Sequence, residues 1–355
     1  MTQMRKEIAE QPQVVARLAA GGLDRYREVC AAARAAGVAF VLYVARGTSD
    51  NAAVYGQYLA SVCAGLPSGL AMPSAVTLYG APLELRHCLV IGISQSGETP
   101  DVAESLADAR ARGAFTVAVT NDGQSPLAQA AARVLLTEAG AERAVAATKT
   151  YTSQLAVLAL LWAAWTEDTQ VVAALRDQVP PAMEACLAAE SAVADLAGAL
   201  SSSDRLLVVA RGYNLATGLE AALKVQETAA IAALPYSAAD LMHGPIAMLE
   251  PGLPALCFAP SGRAQANVIH VAGVLRERGA RVVLVAPGGA AEATGAVQGG
   301  GNAGAPVWIP IPDVPESVSP LVAIVPGQLL ACGLALARGR DPDRPSGLTK
   351  VTRTR

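Results

Sequence analysis

Three apolar segments in the first half of this 355-residue chain match three segments in the second half at a single ungapped offset. The corresponding pairs are Arg46 and Arg211, Gly97 and Gly262, and Gly123 and Gly288. Each pair is 165 residues apart. Agreement of three separate strand-like runs at one offset predicts two copies of one domain in tandem.

The apolar runs within each copy are continuous rather than alternating, as in residues 41–44 and 282–285. Continuous runs are typical of strands that are buried on both faces of a parallel sheet. Helical patterns separate the runs, for example over residues 101–112, so the repeating unit is strand, helix, strand. The sequence therefore predicts an α/β fold in which each copy is a doubly wound parallel sheet between two layers of helices.

The connections between these patterns suggest where the domains begin and end. Residues 167–199 have a helical pattern, and the segment from 339 onward has the Pro and Gly content of an extended tail. The predicted segments are an N-terminal helical segment (1–28), a first domain (29–166), connecting helices (167–199), a second domain (200–338) and a C-terminal active-site tail (339–355).

Composition excludes several classes of protein and partner. Apolar residues make up 52% of the chain and charged residues 16%, which excludes intrinsic disorder. A net charge of −3 favours neither nucleic acid nor an anionic membrane as a partner. The densest apolar stretch identified, 155–165, is shorter than the roughly 18 residues of a membrane span. The charged N-terminus is unlike a secretory signal, so we expect a cytoplasmic protein.

The six cysteines have no spacing that is typical of a metal site or a redox motif. They lie at Cys30, Cys63, Cys88, Cys186, Cys257 and Cys332. We expect reduced and mostly buried thiols, and we expect neither a metal nor another cofactor.

A hydroxyl-rich turn follows the apolar run that ends at Ile93. Four side chains with hydrogen-bonding groups surround Gly97 there: Ser94, Gln95, Ser96 and Thr99. The turn leads into a predicted helix, and a helix N-terminus with exposed N–H groups suits a phosphate monoester. An ordinary capped helix start is the alternative interpretation. One strand earlier, Thr48 and Ser49 form a second such turn, whereas the equivalent turns of the second copy have few hydroxyls.

Glu220, Lys224 and Glu227 are spaced by four and three residues, which places them on one face of a predicted helix. The rest of that helix is apolar, so we expect it to be buried, and buried ionisable groups cluster at active sites. A solvated set of ion pairs is the alternative interpretation. His243 follows in a Gly-Pro loop, where a histidine can transfer protons or serve only a structural role.

Lysine is rare in this chain, since 23 of the 27 basic residues are arginine. The lysines are Lys6, Lys149, Lys224 and Lys350. Lysine can lose its proton and form a Schiff base, whereas arginine in practice cannot. The pattern indicates that lysine is kept where its chemistry is needed, with coding bias as the alternative explanation.

Five motifs occur in an order that resembles a known family. They are MRKEIAEQP, ISQSGETPD, ERAVAATKTYTSQL, LEAALKVQE with its following HGP, and DPDRPSGLTKVT. Together they resemble the isomerase half of glutamine:fructose-6-phosphate amidotransferase and its stand-alone deaminase and deglycase relatives. This is the double-SIS (sugar isomerase) family, and the resemblance covers nearly the whole chain.

The resemblance implies a role for each matching position. The 6-phosphate of a hexose or amino sugar would be held by Ser49, Ser94, Gln95, Ser96 and Thr99, and the sugar would be lined by Val145 and Ala147. Glu227 would move a proton between carbons 1 and 2, with Lys224 and Glu220 beside it. His243 of a neighbouring subunit would open the ring, which implies a homodimer, and Lys350 would reach the carbonyl carbon.

The resemblance also implies an activity. The synthases begin with a glutaminase domain that does not occur in this sequence, so we expect conversion of glucosamine 6-phosphate to fructose 6-phosphate and ammonia. Three alternatives stay open: a fructosamine-6-phosphate deglycase, an aminotransferase-like isomerase that lacks glutaminase, and a non-catalytic sugar-phosphate sensor. Galactosamine 6-phosphate is an alternative substrate.

Overall fold

The computed structural model of the protein describes residues 1–290, 295, 297–298 and 306–350. The chain forms two compact units, each built on one parallel sheet. The five-stranded unit consists of Gln13–Glu142, Lys149–Arg176 and residues 349–350. The six-stranded unit consists of Met1–Pro12, Arg143–Thr148 and the described part of Asp177–Leu348.

Every pair of neighbouring strands within each sheet is parallel. The strands are Phe40–Val44 (β1), Ser68–Leu70 (β2), Cys88–Ile93 (β3), Phe115–Thr120 (β4), Arg133–Leu136 (β5), Arg205–Ala210 (β6), Ala232–Ser237 (β7), Pro254–Phe258 (β8), Arg281–Ala286 (β9), Val297–Gln298 (β10) and Val307–Pro310 (β11). The first sheet has the order β2-β1-β3-β4-β5, and the second has the order β10-β11-β9-β8-β6-β7.

Helices connect the strands, as parallel pairing requires. They are Gln3–Ala20 (α1), Asp24–Ala35 (α2), Thr48–Val62 (α3), Pro73–Thr77 (α4), Pro100–Ala111 (α5), Pro126–Ala130 (α6), Lys149–Thr166 (α7), Thr169–Asp177 (α8), Val179–Ala188 (α9), Glu190–Leu200 (α10), Leu215–Ala229 (α11), Ala238–Met242 (α12), Gln265–Glu277 (α13) and Ser319–Ala337 (α14). The predicted helical connection thus consists of α8 to α10. Residues 339–350 form neither helix nor strand.

The continuous apolar strands are buried as predicted. All six residues of β3 and all five of β8 are buried, since each sheet has helices against it. The prediction of a parallel α/β fold with two tandem domains is confirmed. The carboxyl ends of β1 and β3 carry the two hydroxyl-rich turns that the sequence singled out.

One helix among the described residues is long and apolar enough to cross a membrane by length and composition alone. It spans Glu316–Ala337, which is α14 together with the short helical turn Glu316–Val318 before it, and has a mean hydropathy of 1.9 over its most apolar window. That window is 83% buried inside the protein, as in the core helix of a soluble domain. The prediction of 155–165 as the densest apolar stretch missed this longer segment, in which Pro326, Gly327 and Gln328 interrupt the apolar residues.

The expectation of unpaired, mostly buried thiols agrees with the structure. All six cysteines lie within the described residues, none forms a disulfide, and only Cys63 is exposed. Burial raises the pKa of Cys186 and Cys257 to about 12. These thiols therefore stay protonated at neutral pH and act as small apolar side chains.

Candidate active site

The turn after β3 lies at the point where the strand order of the five-stranded sheet reverses. In the order β2-β1-β3-β4-β5, strand β2 lies on one side of β1, whereas β3, β4 and β5 follow on its other side. The reversal therefore falls between β1 and β3. Ligands of open parallel sheets bind outside the carboxyl ends of the strands at such a point. The hydroxyl-rich turns after β1 and β3 both lie there, as the phosphate-site prediction requires.

Hydrogen bonds within the turn fix its hydroxyl groups. Ser94 Oγ accepts from the Gly97 N–H at 3.1 Å and lies 3.2 Å from Thr99 Oγ1. The Glu98 N–H donates to Ser96 Oγ at 3.2 Å. Ser94 is buried, whereas Gln95, Ser96 and Thr99 are half-buried. The turn is therefore preformed and presents partly accessible polar groups beside the start of α5.

Gly97 cannot be replaced without strain. Its φ is +65°, and a Cβ at this position would overlap with the side chain of Ser125. The Gly97 carbonyl also accepts from the Leu127 N–H at 3.1 Å. The turn thus packs tightly against the loop that follows β4.

The turn after β1 is tied to α5 and α7. Arg46 Nε donates to Asp101 Oδ2 at 2.7 Å, which links the turn to the first turn of α5. Ser49 Oγ accepts from Gln154 Nε2 of α7 at 2.9 Å, so the buried hydroxyl keeps its own proton to donate. Burial raises the pKa of Asp50, against the opposing charge of Arg46.

Helix α11 of the six-stranded unit carries the three charged residues on one face. Lys224 Nζ is 2.5 Å from Glu227 Oε2 and 3.5 Å from Glu220 Oε1. The side chains of Lys224 and Glu220 are 0% exposed, whereas that of Glu227 is 23% exposed. The alternative of a solvated surface ion-pair set is therefore wrong. Lys224 and Glu220 form a buried support, and Glu227 carries the accessible carboxylate.

A cavity of about 460 Å³ lies beside Glu227 within the six-stranded unit. Its lining comes from the end of α11 and from the tail, and includes Glu227, Thr228, Arg340, Arg344, Ser346 and Leu348. Both arginine residues are exposed. The accessible carboxylate of Glu227 therefore lines a space whose tail side carries two arginines and one aspartate, Asp341.

His243 makes no hydrogen bond or ion pair with this triad among the described residues. It follows α12, is exposed, and donates its backbone N–H to the Asp240 carbonyl at 3.1 Å. No hydrogen bond between its imidazole and α11 occurs in the part of the chain that the structure describes. The structure therefore leaves its ring on the surface.

Lys350 contacts a buried carboxylate, Glu142, that is not among the predicted site residues. Its Nζ is 2.9 Å from Glu142 Oε2 within the five-stranded unit. Glu142 is completely buried and also accepts from the N–H and the hydroxyl of Thr150, at 3.1 and 2.6 Å. The sequence offered one signal for Glu142: it is the first residue of the motif ERAVAATK, which also contains the predicted site residues Val145 and Ala147.

The segment 143–148 in the six-stranded unit alternates in burial. Val145 and Ala147 are half-buried, whereas Ala144, Ala146 and Thr148 are buried. The two positions singled out for the sugar are thus the more accessible ones of the five.

The second sheet has a different arrangement at its equivalent turn. Glu316 Oε1 accepts from the Ala264 N–H at 3.2 Å, and a Cβ on Gly262 would overlap with the Glu316 side chain. Ser261 Oγ donates to the carboxylate of Asp313. Carboxylates of this chain therefore occupy the turn that corresponds to the first-copy phosphate candidate.

A family model provides the deciding observation. The model of the SIS domain matches residues 40–164 and again residues 199–291. The chain belongs to the SIS domain family. The first SIS match contains the strands of the five-stranded sheet, and the second contains β6 to β9.

Individual SIS relatives agree with this assignment. The glutamine–fructose-6-phosphate aminotransferase (isomerizing) of Methanothermobacter thermautotrophicus is 36% identical over 348 residues, which covers 98% of this chain and 56% of the relative. The solved C-terminal domain of the glucosamine–fructose-6-phosphate aminotransferase of Francisella tularensis is 25% identical, with a TM-score of 0.86 and coverage of 97% and 98%. A solved Silicibacter pomeroyi chain, provisionally described as a phosphosugar isomerase, is 34% identical with a TM-score of 0.84 and coverage of 97% and 100%.

The resemblance drawn from the motifs is thus confirmed. This chain is an SIS protein of the type found as the isomerase portion of the aminotransferases, and it spans a little over half the length of the curated relatives it matches. Among the residues described, no group of three or more His, Cys, Asp or Glu is placed to hold a metal ion.

Gly97→Ala is expected to destabilise this SIS protein by about 2–5 kcal/mol. The left-handed backbone costs an alanine about 1–2 kcal/mol, and the overlap with Ser125 adds about 1–3 kcal/mol. Gly140 is a matched control because its φ is +67° and nothing lies within 4 Å of its added Cβ. Urea unfolding should show only the backbone cost for Gly140→Ala, and equal losses in both variants would contradict the packing argument.

Proposed function

We propose that this SIS protein is an aldose–ketose isomerase that converts glucosamine 6-phosphate to fructose 6-phosphate and ammonia. The accessible carboxylate of Glu227, held at 2.5 Å by the buried Lys224, carries the proposal. A carboxylate in this setting can remove and return a proton, which is the central step of aldose–ketose isomerisation. We include a homodimer in the cytoplasm in this proposal.

In this proposal the turns of the five-stranded unit bind the 6-phosphate. Ser49, Ser94, Gln95, Ser96 and Thr99 supply hydroxyl and amide groups, and the start of α5 supplies backbone N–H groups and partial positive charge. Val145 and Ala147 line the sugar. Fixing the phosphate places the sugar carbons before any bond changes, which supplies part of the rate enhancement.

The proton transfers follow from the acid–base set. His243 of a second copy opens the sugar ring, and Glu227 takes the proton from carbon 2 and returns it to carbon 1. A proton of the 2-amino group passes to the carbonyl oxygen in the same conversion, which leaves a hydroxyl at carbon 1 and an imine at carbon 2. Water then adds to the resulting imine at carbon 2 and ammonia leaves, which gives the ketose. Lys224, which is paired with Glu220, holds Glu227 in place, and in this proposal Lys350 reaches the carbonyl carbon.

A fructosamine-6-phosphate deglycase is the second candidate, because of the cavity beside Glu227. Arg340 and Arg344 in its lining suit the carboxylate of an amino acid, which would be the leaving group of that reaction. The isomerisation chemistry is the same in both cases, so only the leaving group separates the two candidates.

Product formation from a panel of 6-phospho amino sugars tests the proposal. The panel contains glucosamine 6-phosphate, galactosamine 6-phosphate and a fructosamine 6-phosphate of an amino acid, with ketose phosphate and ammonia measured together. Equal amounts of fructose 6-phosphate and ammonia from glucosamine 6-phosphate are the expected result. Turnover of the fructosamine alone would favour the deglycase, and binding without turnover of any member would favour a sensor.

A further inference from the structure

The N-terminal motif MRKEIAEQP contains a buried carboxylate that the proposed mechanism does not use. Glu7, on α1, is 0% exposed. It accepts from the Arg143 N–H at 2.6 Å and from the Ala144 N–H at 3.2 Å, and Gln3 Nε2 also donates to it at 2.8 Å. Hydrogen bonds to an ionised acceptor are stronger than those to a neutral one. Glu7 therefore holds the beginning of the segment 143–148.

The next turn of α1 holds the other end of the same segment. Gln11 is also 0% exposed, and its Nε2 donates to Gln328 Oε1 at 2.8 Å. Gln328, which is buried in α14, donates in turn to the Thr148 carbonyl at 3.3 Å. The two polar residues of the motif EIAEQ that are buried thus act on opposite ends of one segment.

The tail holds the segment at a third point. The Val145 N–H donates to the Asp343 carbonyl at 3.2 Å. The Asp343 carboxylate accepts from the backbone N–H groups of Gln3 and Met4, each at 2.7 Å. The start of α1, the tail and the segment 143–148 are therefore joined in one hydrogen-bond network within the six-stranded unit.

We propose that Glu7 and Gln11 are positioning residues that set the backbone of 143–148 for a bound phosphosugar. This inference rests on the proposed function, in which Val145 and Ala147 line the sugar. The segment is neither helix nor strand, so its conformation depends on such anchors rather than on a regular hydrogen-bond pattern. Burying the carboxylate of Glu7 costs desolvation free energy, so its presence in α1 indicates that its hydrogen bonds have a role.

The network predicts a selective loss of sugar binding. Displacement of 143–148 affects contacts with the sugar carbons, while the turns that bind the phosphate lie in the other unit. Loss of the charged anchor should therefore lower affinity for fructose 6-phosphate roughly 10- to 100-fold, the range expected when hydrogen bonds to a charged group are lost. Affinity for inorganic phosphate should change less than about twofold.

The first experiment compares Glu7→Gln with the wild-type protein by calorimetric titration with fructose 6-phosphate and inorganic phosphate. Glutamine has the same shape, but its amide nitrogen cannot accept a backbone N–H. Glu10→Gln is the matched control, since Glu10 is an exposed carboxylate on the same helix. Selective loss for fructose 6-phosphate in Glu7→Gln alone supports the inference.

A second variant keeps the test decisive if Glu7→Gln folds poorly. Gln11→Met fills the same space without donating to Gln328, so it should weaken fructose 6-phosphate binding and spare phosphate binding. Equal weakening of both ligands, or no change for either in a folded variant, would overturn the inference alone. Failure of the wild-type protein to bind fructose 6-phosphate would overturn the proposed function together with it.

Discussion

Glu227→Gln is expected to lower kcat for glucosamine 6-phosphate by about 10²- to 10⁴-fold, because general base catalysis contributes a factor of that size. Glutamine has the same shape and its amide oxygen can still accept from Lys224, so the variant should fold and bind its ligand. Steady-state kinetics give kcat, and exchange of the carbon 2 proton with solvent deuterium reports on the chemical step directly. Both should fall together, whereas affinity for inorganic phosphate should stay within about twofold.

Glu277→Gln provides a control for this experiment, since Glu277 is an exposed carboxylate at the end of α13. Its activity should equal that of the wild-type protein. Near-normal ammonia release by Glu227→Gln would show that another group is the base, and the assignment of Glu227 would be abandoned.

Lys224→Met should lower the free energy of unfolding by about 3–5 kcal/mol, the cost of removing one partner from a buried ion pair. Methionine has a similar volume, so the packing of α11 against α14 should survive. The loss comes from charge, because the fully buried Glu220 would lose its cationic neighbour at 3.5 Å. Urea unfolding monitored by circular dichroism measures this difference.

A double variant separates charge from packing. Lys224→Met combined with Glu220→Gln also removes the buried charge of Glu220, so it should recover a large part of the lost stability. Activity should remain low in both variants, since Glu227 would still lack its positioning cation. A loss below about 1 kcal/mol in Lys224→Met would contradict the view that this ion pair is a buried structural support.

Local patterns in the sequence were enough to predict the fold and the placement of several candidate site residues. Continuous apolar runs such as β3 identified the buried parallel strands, because this burial pattern depends only on neighbouring residues. The spacing of Glu220, Lys224 and Glu227 likewise predicted their common face, since helical geometry relates residues three and four apart. The strand ends then placed the hydroxyl-rich turns at one edge of the sheet.

Contacts between distant residues could not be predicted in this way. The hydrogen bonds of Glu7 to Arg143 and of Lys350 to Glu142 join residues 136 and 208 positions apart. Both contacts depend on how the tail and the first helix pack, which no local pattern encodes. The apolar length of helix α14 could not be predicted for a different reason, because its Pro, Gly and Gln residues interrupt an otherwise continuous apolar segment.

The carboxylate of Glu316 in the second sheet has a consequence for binding stoichiometry. An intramolecular group competes with a dissolved ligand at a high effective concentration, which short connections raise to the millimolar range or above. A sugar phosphate that approaches the turn at Gly262 must displace this carboxylate and also tolerate its negative charge. Although the chain has two SIS domains, it should therefore bind only one phosphosugar at saturation.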